Sequence, residues 1–201
     1  MKIYKIEPIG FASNTYILTA DDKTAVIIDC AQPRVLDECA RLGLKPEYVL
    51  LTHGHYDHIG GCGRAFLQGA KICCGEKEKD LIFSNGNRAI FHNIEIPYFE
   101  IFSTLSNCQE LDACGLKIKV IATPGHTAGG LSFLVDGCLF TGDTLFFESV
   151  GRTDFETGND ADIVRSIKTL YALDGDCKVY CGHGKDTTLN HERIFNPYVR
   201  N

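Results

Sequence analysis

The sequence lacks any apolar run that approaches the ~20 residues a helix needs to cross a bilayer. It also lacks a charged N-terminal segment followed by an apolar core and a small-residue cleavage site. Residues 1–6 instead alternate polar and apolar side chains, as a strand does. These absences argue against a membrane span and against a secretory signal, and we expect a cytoplasmic protein.

The sequence has no excess of positive charge. Its 20 Lys and Arg residues are scattered and are outnumbered by 26 Asp and Glu residues, which gives a formal net charge of −6. Binding of DNA or RNA requires a basic surface that neutralises phosphates, so a nucleic-acid partner is disfavoured. We expect a small-molecule substrate, and the sequence leaves the oligomeric state open.

No linker divides the 201 residues, and this length allows one well-buried core, so we expect a single domain over residues 1–201. The 10 cysteines lack the secretory context of a disulfide scaffold, and most of them are expected to be reduced thiols. Redox activity stays open at the adjacent pair Cys73 and Cys74 and at Cys181.

Residues 52–58, Thr-His-Gly-His-Tyr-Asp-His, place three imidazoles and a carboxylate directly after the apolar run 48–51. Alternate residues of an extended chain share a face, so His53 and His55 can bind one cation. Asp57 and His58 lie where the chain turns away and can face a second cation. The motif therefore predicts a metal site that can serve two ions.

Further candidate ligands occur in one recurring setting, at His126, Asp143 and His183. Each follows a β-like apolar segment by one to four residues and lies beside glycine, which lets the backbone turn sharply near an ion. Ligands at strand ends can converge on one rim. Asp29, also at a strand end, is interpreted either as a support for a ligand histidine or as a turn residue. The remaining histidines, His92 and His191, fall outside this pattern and are expected to be structural.

Apolar periodicity predicts strands near residues 2–6, 15–19, 24–29, 48–52, 117–122, 131–135, 138–141 and 178–181, and helices near 34–41 and 160–173. The dipeptide Asp136-Gly137 predicts a hairpin. Residues 75–110 form the least regular segment, interpreted either as a lid or binding loop or as a packing excursion over a sheet edge. In the first case Tyr98 and Phe99 would form an apolar substrate wall.

The order H-x-H-x-D-H, lone His, Gly-Asp and Gly-His resembles the metallo-β-lactamase fold hydrolase superfamily over nearly the whole chain. Two further sets of residues are similar to the small single-domain glyoxalase II-like branch of this superfamily. The first set is 142–146 with 151–155, and the second is 182–184 with 192–193 and 196–197. The resemblance implies an α/β fold, namely an αββα sandwich of two mixed β-sheets flanked by helices. It also implies two metal sites bridged by Asp143: His53, His55 and His126 in one, and Asp57, His58 and His183 in the other.

The implied function is a binuclear metal-dependent hydrolase of a small, anionic thioester or ester, similar to hydroxyacylglutathione hydrolases and using a metal-bound hydroxide. Asp57 is the predicted catalytic residue, because its second oxygen can orient the hydroxide and handle its proton. Histidine and carboxylate ligands suit zinc, iron and manganese; two zinc ions are favoured as the cofactor, with iron or manganese as alternatives.

Two other functions stay open. Persulfide dioxygenases share much of this motif set but use a single iron, and a non-enzymatic metal-binding module would have little reason to keep seven ligands. The β-lactamases proper generally place another residue at the position of Asp143. Arg88 and Arg152 are candidate contacts to an anionic substrate, although Arg152 is preferably interpreted as an ion-pair partner of Asp154. The native substrate and its thiol carrier stay open.

Overall fold

The computed structural model describes residues 1–200 and contains two six-stranded sheets. The first sheet has its strands in chain order: β1 Lys2–Ile6, β2 Thr15–Thr19, β3 Thr24–Ile28, β4 Lys45–Leu50, β5 Lys71–Gly75 and β6 Ser103–Leu105. The pairs β1–β2 and β2–β3 are antiparallel, and β3 to β6 are parallel. The carboxyl ends of β3 and β4 therefore lie at the same edge.

The second sheet is also mixed. Its strands are β7 Glu110–Ala113, β8 Leu116–Ala122, β9 Leu131–Val135, β10 Cys138–Gly142, β13 Lys178–Cys181 and β14 Thr187–Thr188, in the order β14-β13-β10-β9-β8-β7. The pair β10–β13 is parallel and the other pairs are antiparallel. Since β8 and β10 are both antiparallel to β9, β8, β10 and β13 all end at one edge. A small hairpin joins β11 Leu145–Phe146 to β12 Ser149–Val150.

Helices connect the parallel strands, as such crossovers require. They are α1 Arg34–Arg41, α2 Tyr56–Ile59, α3 Cys62–Leu67, α4 Glu78–Ile82 and α5 Asp160–Tyr171, and a further helix, α6 Leu189–Phe195, follows the last strand. Short 3₁₀ turns cover Asn85–Asn87 and Ala89–His92. Among the described residues, no helix is both long enough and apolar enough to cross a membrane.

The sheets are apolar on both faces, and alternate residues of each strand enter different core layers. In β2, Ile17 packs beneath the outer helices while Tyr16 and Leu18 face the second sheet. Val120 and Phe133 meet them from the second sheet, whose other face packs under α5. The layers are therefore helix, sheet, sheet and helix, which confirms the predicted αββα sandwich.

Most predicted elements are present with small shifts at their ends. The strand expected near 48–52 is Lys45–Leu50, and the helix expected near 160–173 ends at Tyr171. The predicted hairpin joins β9 to β10, with Asp136 and Gly137 both at positive φ and Val135 paired to Cys138. The ten cysteines are free thiols, as expected. Cys181 is fully buried, and burial raises the pKa of its thiol to about 12.

The segment 75–110 is neither a simple lid nor only a packing excursion. It contains α4, the two 3₁₀ turns and β6, and its Arg88 and His92 line a cavity described below. The expected apolar substrate wall of Tyr98 and Phe99 is wrong. Phe99 is buried in the core under the first sheet, and Tyr98 is exposed and hydrogen-bonded to Glu100.

Candidate metal centre

The predicted ligands meet at the edge where four strands end. Residues 53–58 follow β4, and single ligands follow β8, β10 and β13. Because β8, β10 and β13 run in one direction and the first sheet packs against the second, the loops after all four strands face each other. The structure brings all seven predicted residues together, in three overlapping groups whose ligand atoms lie within 4.8 Å of one another. The groups are His53, His55 and His126; His53, His58 and Asp143; and Asp57, His58 and His183.

Asp143 lies between the two outer groups. Its Oδ1 is 3.3 Å from His58 Nε2, and its Oδ2 is 3.7 Å from His126 Nε2 and 3.5 Å from His183 Nε2. One carboxylate therefore reaches imidazoles of both groups. This is the position that a bridging ligand would occupy.

Glycines allow these loops to approach so closely. A Cβ atom at Gly182 would lie 2.2 Å from Asp143 Oδ1, and one at Gly142 would lie 2.2 Å from Thr52 Oγ1. Gly142 also has a φ of +49°, which L-residues with side chains rarely adopt. Larger residues at either position would push the ligand loops apart.

The ring nitrogens that face away from the centre have fixed partners. Thr52 Oγ1 lies 3.1 Å from His53 Nδ1, Asp29 Oδ2 lies 2.8 Å from His58 Nδ1, and the Arg152 carbonyl lies 2.7 Å from His126 Nδ1. An Nδ1–H in each ring would donate to these acceptors and leave the Nε2 lone pair directed inward. Such outer contacts fix the tautomer and the orientation of metal-ligating histidines.

Asp29 combines both of its predicted roles. Its carboxylate also accepts hydrogen bonds from the Thr52 amide at 2.7 Å and the Thr52 hydroxyl at 2.8 Å. Its backbone turns with a φ of +55° directly after β3. One buried residue therefore supports His58, anchors the residue before His53 and forms the turn.

Several inward-facing atoms have no partner among residues 1–200. His53 Nε2, His58 Nε2 and Asp143 Oδ1 are buried and make no hydrogen bond. An unsatisfied buried polar atom costs on the order of 1–3 kcal/mol, so three at one place require an explanation. Metal coordination would satisfy all three. Imidazole and carboxylate are ligands that zinc, iron and manganese accept, so the residues present fit a metal centre.

The environment of two histidines in the first group, His53 and His55, favours their neutral form. Burial lowers the pKa of His53 well below its ordinary value, and it lowers that of His55 to about 3. Neighbouring imidazoles add to both shifts. Neutral imidazole is the form that binds a cation, so these rings are ready to bind at neutral pH.

The second group holds opposite charges. Burial opposes the charged form of His58, but the carboxylates of Asp29, Asp143 and Asp57 outweigh it and raise its pKa well above the ordinary value. Asp57 and Asp143 raise the pKa of His183 in the same way. Although burial acts against both carboxylates, nearby imidazoles hold the pKa values of Asp57 and Asp143 low. A cation bound here would displace protons from the imidazoles.

Glu78 connects the loops that carry the first group. This residue of α4 is fully buried, and its two carboxylate oxygens accept hydrogen bonds from the amides of Gly54 at 2.7 Å and Gly129 at 2.8 Å. Gly54 lies between His53 and His55, and Gly129 lies three residues after His126. The sequence analysis missed Glu78, since no motif marks it.

A cavity of about 490 Å³ opens onto the centre. Five of the ligands reach it: His55, Asp57, His126, Asp143 and His183. Its apolar walls include Phe146, Val150 and Phe155. A larger hollow of about 820 Å³ lies among residues 82–98 but contains none of the ligands, so the smaller cavity is the candidate substrate site.

The other predicted positions lie around this cavity or away from it. His92 stacks on Tyr56 at the cavity, with centroids 4.7 Å apart, and is in none of the ligand groups. His191 is bonded to Glu148 at 3.0 Å, outside the cavity. Arg152 forms the expected ion pair with Asp154, through two contacts of 2.6 Å. Phe155 was quoted in a motif, but sequence analysis assigned it no role.

Comparison with known proteins identifies similar chains. The model of the metallo-beta-lactamase superfamily matches residues 8–69 and 111–183. A probable metallo-hydrolase of Streptococcus pyogenes serotype M6 is 33% identical over 98% of this chain and 90% of its own length. The hydroxyacylglutathione hydrolase GloC of Haemophilus influenzae is 30% identical over 99% of this chain and 98% of its own.

Solved structures also resemble the whole chain. The BLEG-1 B3 metallo-beta-lactamase superposes with a TM-score of 0.92 at 29% identity, covering 100% of both chains. TTHA1623 in a di-iron-bound form has a TM-score of 0.86 at 27% identity, over 99% of this chain and 100% of its own. ETHE1 from Myxococcus xanthus has a TM-score of 0.81 at 26% identity, over 98% of this chain and 84% of its own.

Proposed function

The chain belongs to the metallo-beta-lactamase superfamily, and on that premise we propose that it is a binuclear metal-dependent hydrolase of small thioesters or esters. The observation that carries this proposal is the set of inward-facing, unsatisfied atoms on His53, His58 and Asp143. The seven candidate ligands exceed the four that a zinc ion usually takes, and they fall into two outer groups on either side of Asp143, which argues for two ions. The similarity to a hydroxyacylglutathione hydrolase supports a thioester substrate.

In the proposed centre, His53, His55 and His126 would hold one ion, Asp57, His58 and His183 would hold the other, and Asp143 would contribute to both. When bound, divalent ions would lower the pKa of a water and so supply a nucleophile at neutral pH. The ligand carboxylates only partly neutralise two divalent ions, so the site favours an anionic substrate or a developing oxyanion. The donor set accommodates zinc, iron or manganese, and we propose two zinc ions.

Asp57 is the proposed proton-handling residue. Its Oδ2 lies 3.1 Å from His183 Nε2, so these two atoms can ligate the same ion, while its other oxygen makes no hydrogen bond among the described residues. That oxygen is free to orient a nucleophile at the cavity floor and to accept its proton. Phe146, Val150 and Phe155 would exclude water from the bound acyl group.

Two alternative activities have to be tested beside thioester hydrolysis. A single-iron persulfide dioxygenase would use the same ligands, and the likeness to ETHE1 is consistent with it. The likeness to a B3 metallo-beta-lactamase reopens β-lactams as substrates, although the sequence disfavours them. A cytoplasmic location and a single domain over residues 1–201 stay predictions.

The test combines elemental analysis of the protein as isolated with three assays. The assays are cleavage of a small acyl thioester, sulfide-dependent oxygen uptake and hydrolysis of a chromogenic β-lactam. Two metal ions per chain with thioester cleavage supports the proposal. One iron with oxygen uptake, or faster turnover of the β-lactam than of any thioester, contradicts it.

A further inference from the structure

Arg88 is a cation without a partner in the candidate substrate cavity. Its side chain makes no hydrogen bond and no ion pair within the 200 described residues, although it lines the cavity beside the ligands. Other arginines of the chain bond to carboxylate, amide or carbonyl oxygens: Arg34, Arg41, Arg64, Arg152, Arg165 and Arg193. A guanidinium carries five donors that favour a planar, anionic acceptor.

Aromatic contacts hold this guanidinium at a fixed place. The Arg88 guanidinium carbon lies 3.9 Å from the centroid of the Phe155 ring and 4.8 Å from that of Phe91. The Phe155 centroid lies 5.3 Å from the centroid of the His55 ring, in an edge-on contact. Both distances are measured to the Phe155 ring centroid, so the guanidinium carbon can lie at most about 9 Å from the centroid of the His55 ring. One small molecule can reach both.

The charge at this end of the cavity matches a monoanion. Arg152 also stacks on Phe155, at 4.1 Å, but Asp154 already neutralises it through two contacts of 2.6 Å. The pKa of Asp154 is lowered mainly by Arg152 and to a smaller extent by Arg88, so Arg88 keeps a positive charge to which no carboxylate is directly bonded. A carboxylate matches one guanidinium in charge and in bidentate geometry, whereas a phosphate dianion calls for more than one cation.

We propose that Arg88 binds a carboxylate of the substrate, so that the preferred substrates are small thioesters whose carboxylate reaches a guanidinium within about 9 Å of the His55 ring. This inference rests on the proposed hydrolase function and specifies its substrate class. The carboxylate pairs with the Arg88 guanidinium over the Phe155 ring. The acyl carbon then lies at the cavity floor, beside Asp57 and Asp143.

The backbone at Arg88 permits a clean test. Its φ is +69°, in the left-handed region, where asparagine is more readily accommodated than arginine. Arg88→Asn removes the cation without demanding a new backbone conformation. Arg88→Lys keeps the charge but loses the planar fork. Arg165→Gln removes one exposed positive charge outside the cavity and controls for net charge.

The experiment uses the metal-loaded protein and the acetyl thioesters of 3-mercaptopropionate and of its neutral amide. We expect the wild type to prefer the carboxylate at least tenfold in kcat/KM, about 1.4 kcal/mol, mainly through KM. Arg88→Asn should lower kcat/KM for the carboxylate substrate at least tenfold more than for the amide substrate and so abolish the preference, while Arg88→Lys should keep part of it. Arg165→Gln should keep the full preference.

Calorimetric binding of the matching non-cleavable thioethers provides a readout independent of turnover. The carboxylate thioether should bind at least tenfold more weakly to Arg88→Asn than to the wild type, and the amide thioether equally to both. Equal cleavage of both thioesters by wild type and Arg88→Asn overturns the inference while leaving the hydrolase proposal intact. Failure to cleave either thioester, with Arg88-dependent binding of the carboxylate thioether, contradicts only the hydrolase proposal. If the thioether that carries a phosphate in place of the carboxylate binds more tightly than the carboxylate thioether, and this binding depends on Arg88, the assignment to a carboxylate is overturned.

Discussion

At the scale of single residues, the candidate centre depends on side chains that fix other side chains. Asp29 accepts hydrogen bonds from Thr52 and from a ring nitrogen of His58, and Thr52 in turn contacts His53. The two outer groups of ligands therefore share one buried support. Loss of the Asp29 carboxylate should lower metal affinity while leaving the fold intact.

We expect Asp29→Asn to lower metal affinity about 10- to 100-fold, because a neutral amide is a weaker acceptor for the His58 Nδ1–H. Asparagine tolerates the positive φ at this turn, so the fold should persist. Competitive metal titration against a chelating dye measures the change. Asp22→Asn is the matched control, since Asp22 has a φ of 56° but pairs with Lys2 at the surface. Equal affinity of both variants would contradict the role of Asp29.

A second residue-scale prediction concerns Asp143. We expect Asp143→Asn to abolish activity and reduce metal content, because the amide lacks the negative charge that would hold two cations together. Elemental analysis and thioester turnover measure the effect. Asp112→Asn, the same change at an exposed position of β7, should alter neither. Full metal content and near-normal turnover in Asp143→Asn would show that the bridging assignment is wrong.

At the scale of elements, α4 joins loops that the sequence shows as separate. The buried Glu78 carboxylate accepts from Gly54 and Gly129, and burial raises its pKa above the ordinary value. A carboxyl group whose pKa is higher in the folded state contributes stability that is fully present below the unfolded pKa. That contribution is lost as the pH rises through the folded pKa.

We therefore expect Glu78→Gln to destabilise the metal-free protein most at low pH, where the wild type retains the full contribution of its protonated carboxyl group, while the glutamine NH2 group faces one of the two amide donors. The difference in the free energy of unfolding from the wild type should narrow as the pH rises above 4.5, the ordinary pKa of a glutamate side chain. Urea unfolding of both proteins across this range measures it. Glu100→Gln, at an exposed position outside the core, should show no such narrowing. A difference that widens with pH would contradict the raised pKa.

Sequence patterns predicted the elements that carry the ligands better than those that surround them. Alternation in β8 and β9 and the dipeptide Asp136-Gly137 are local signals, so these elements could be predicted. By contrast, α4 has only five residues, and β6 has three. Such short elements depend on tertiary contacts more than on local periodicity. Phe99 and Tyr98 show the same limit, because adjacent aromatic residues in an irregular segment carry no signal of which one is buried.

The candidate site also contains residues that sequence motifs predicted and residues that they did not. The predicted ligand histidines and carboxylates lie in motifs with fixed spacing, so the order of these motifs was enough to select side chains that the structure brings together. The contacts of Arg88 with Phe155 join residues far apart in the chain, in a segment without periodicity. No local sequence pattern could therefore predict the contact between Arg88 and Phe155.

At the scale of the whole molecule, the ligand loops belong to both sheets. Residues 53–58 follow a strand of the first sheet, and His126, Asp143 and His183 follow strands of the second. A bound ion would therefore join the two sheets at their common edge, in addition to the apolar layer between them.

We expect chelation to lower the thermal unfolding midpoint of the protein as isolated. An ion that binds only the folded state stabilises it by about 4 kcal/mol when its free concentration is a thousandfold above Kd. Calorimetric or circular-dichroism melting before and after chelation measures the shift. Asp143→Asn, which should hold less metal, should show a smaller shift. Identical midpoints for the wild type with and without chelator would contradict a metal shared between the sheets.

The spread of the ligands along the chain also bears on the order of folding. His53 and His183 are 130 positions apart, and strands of both sheets lie between them in the chain. Since an unfolded chain would have to close such long loops around an ion, metal is a poor nucleus for folding. Ion binding then follows the rate-limiting barrier. Metal binding should slow unfolding while leaving the refolding rate nearly unchanged. The metal would therefore increase the kinetic stability of the folded protein.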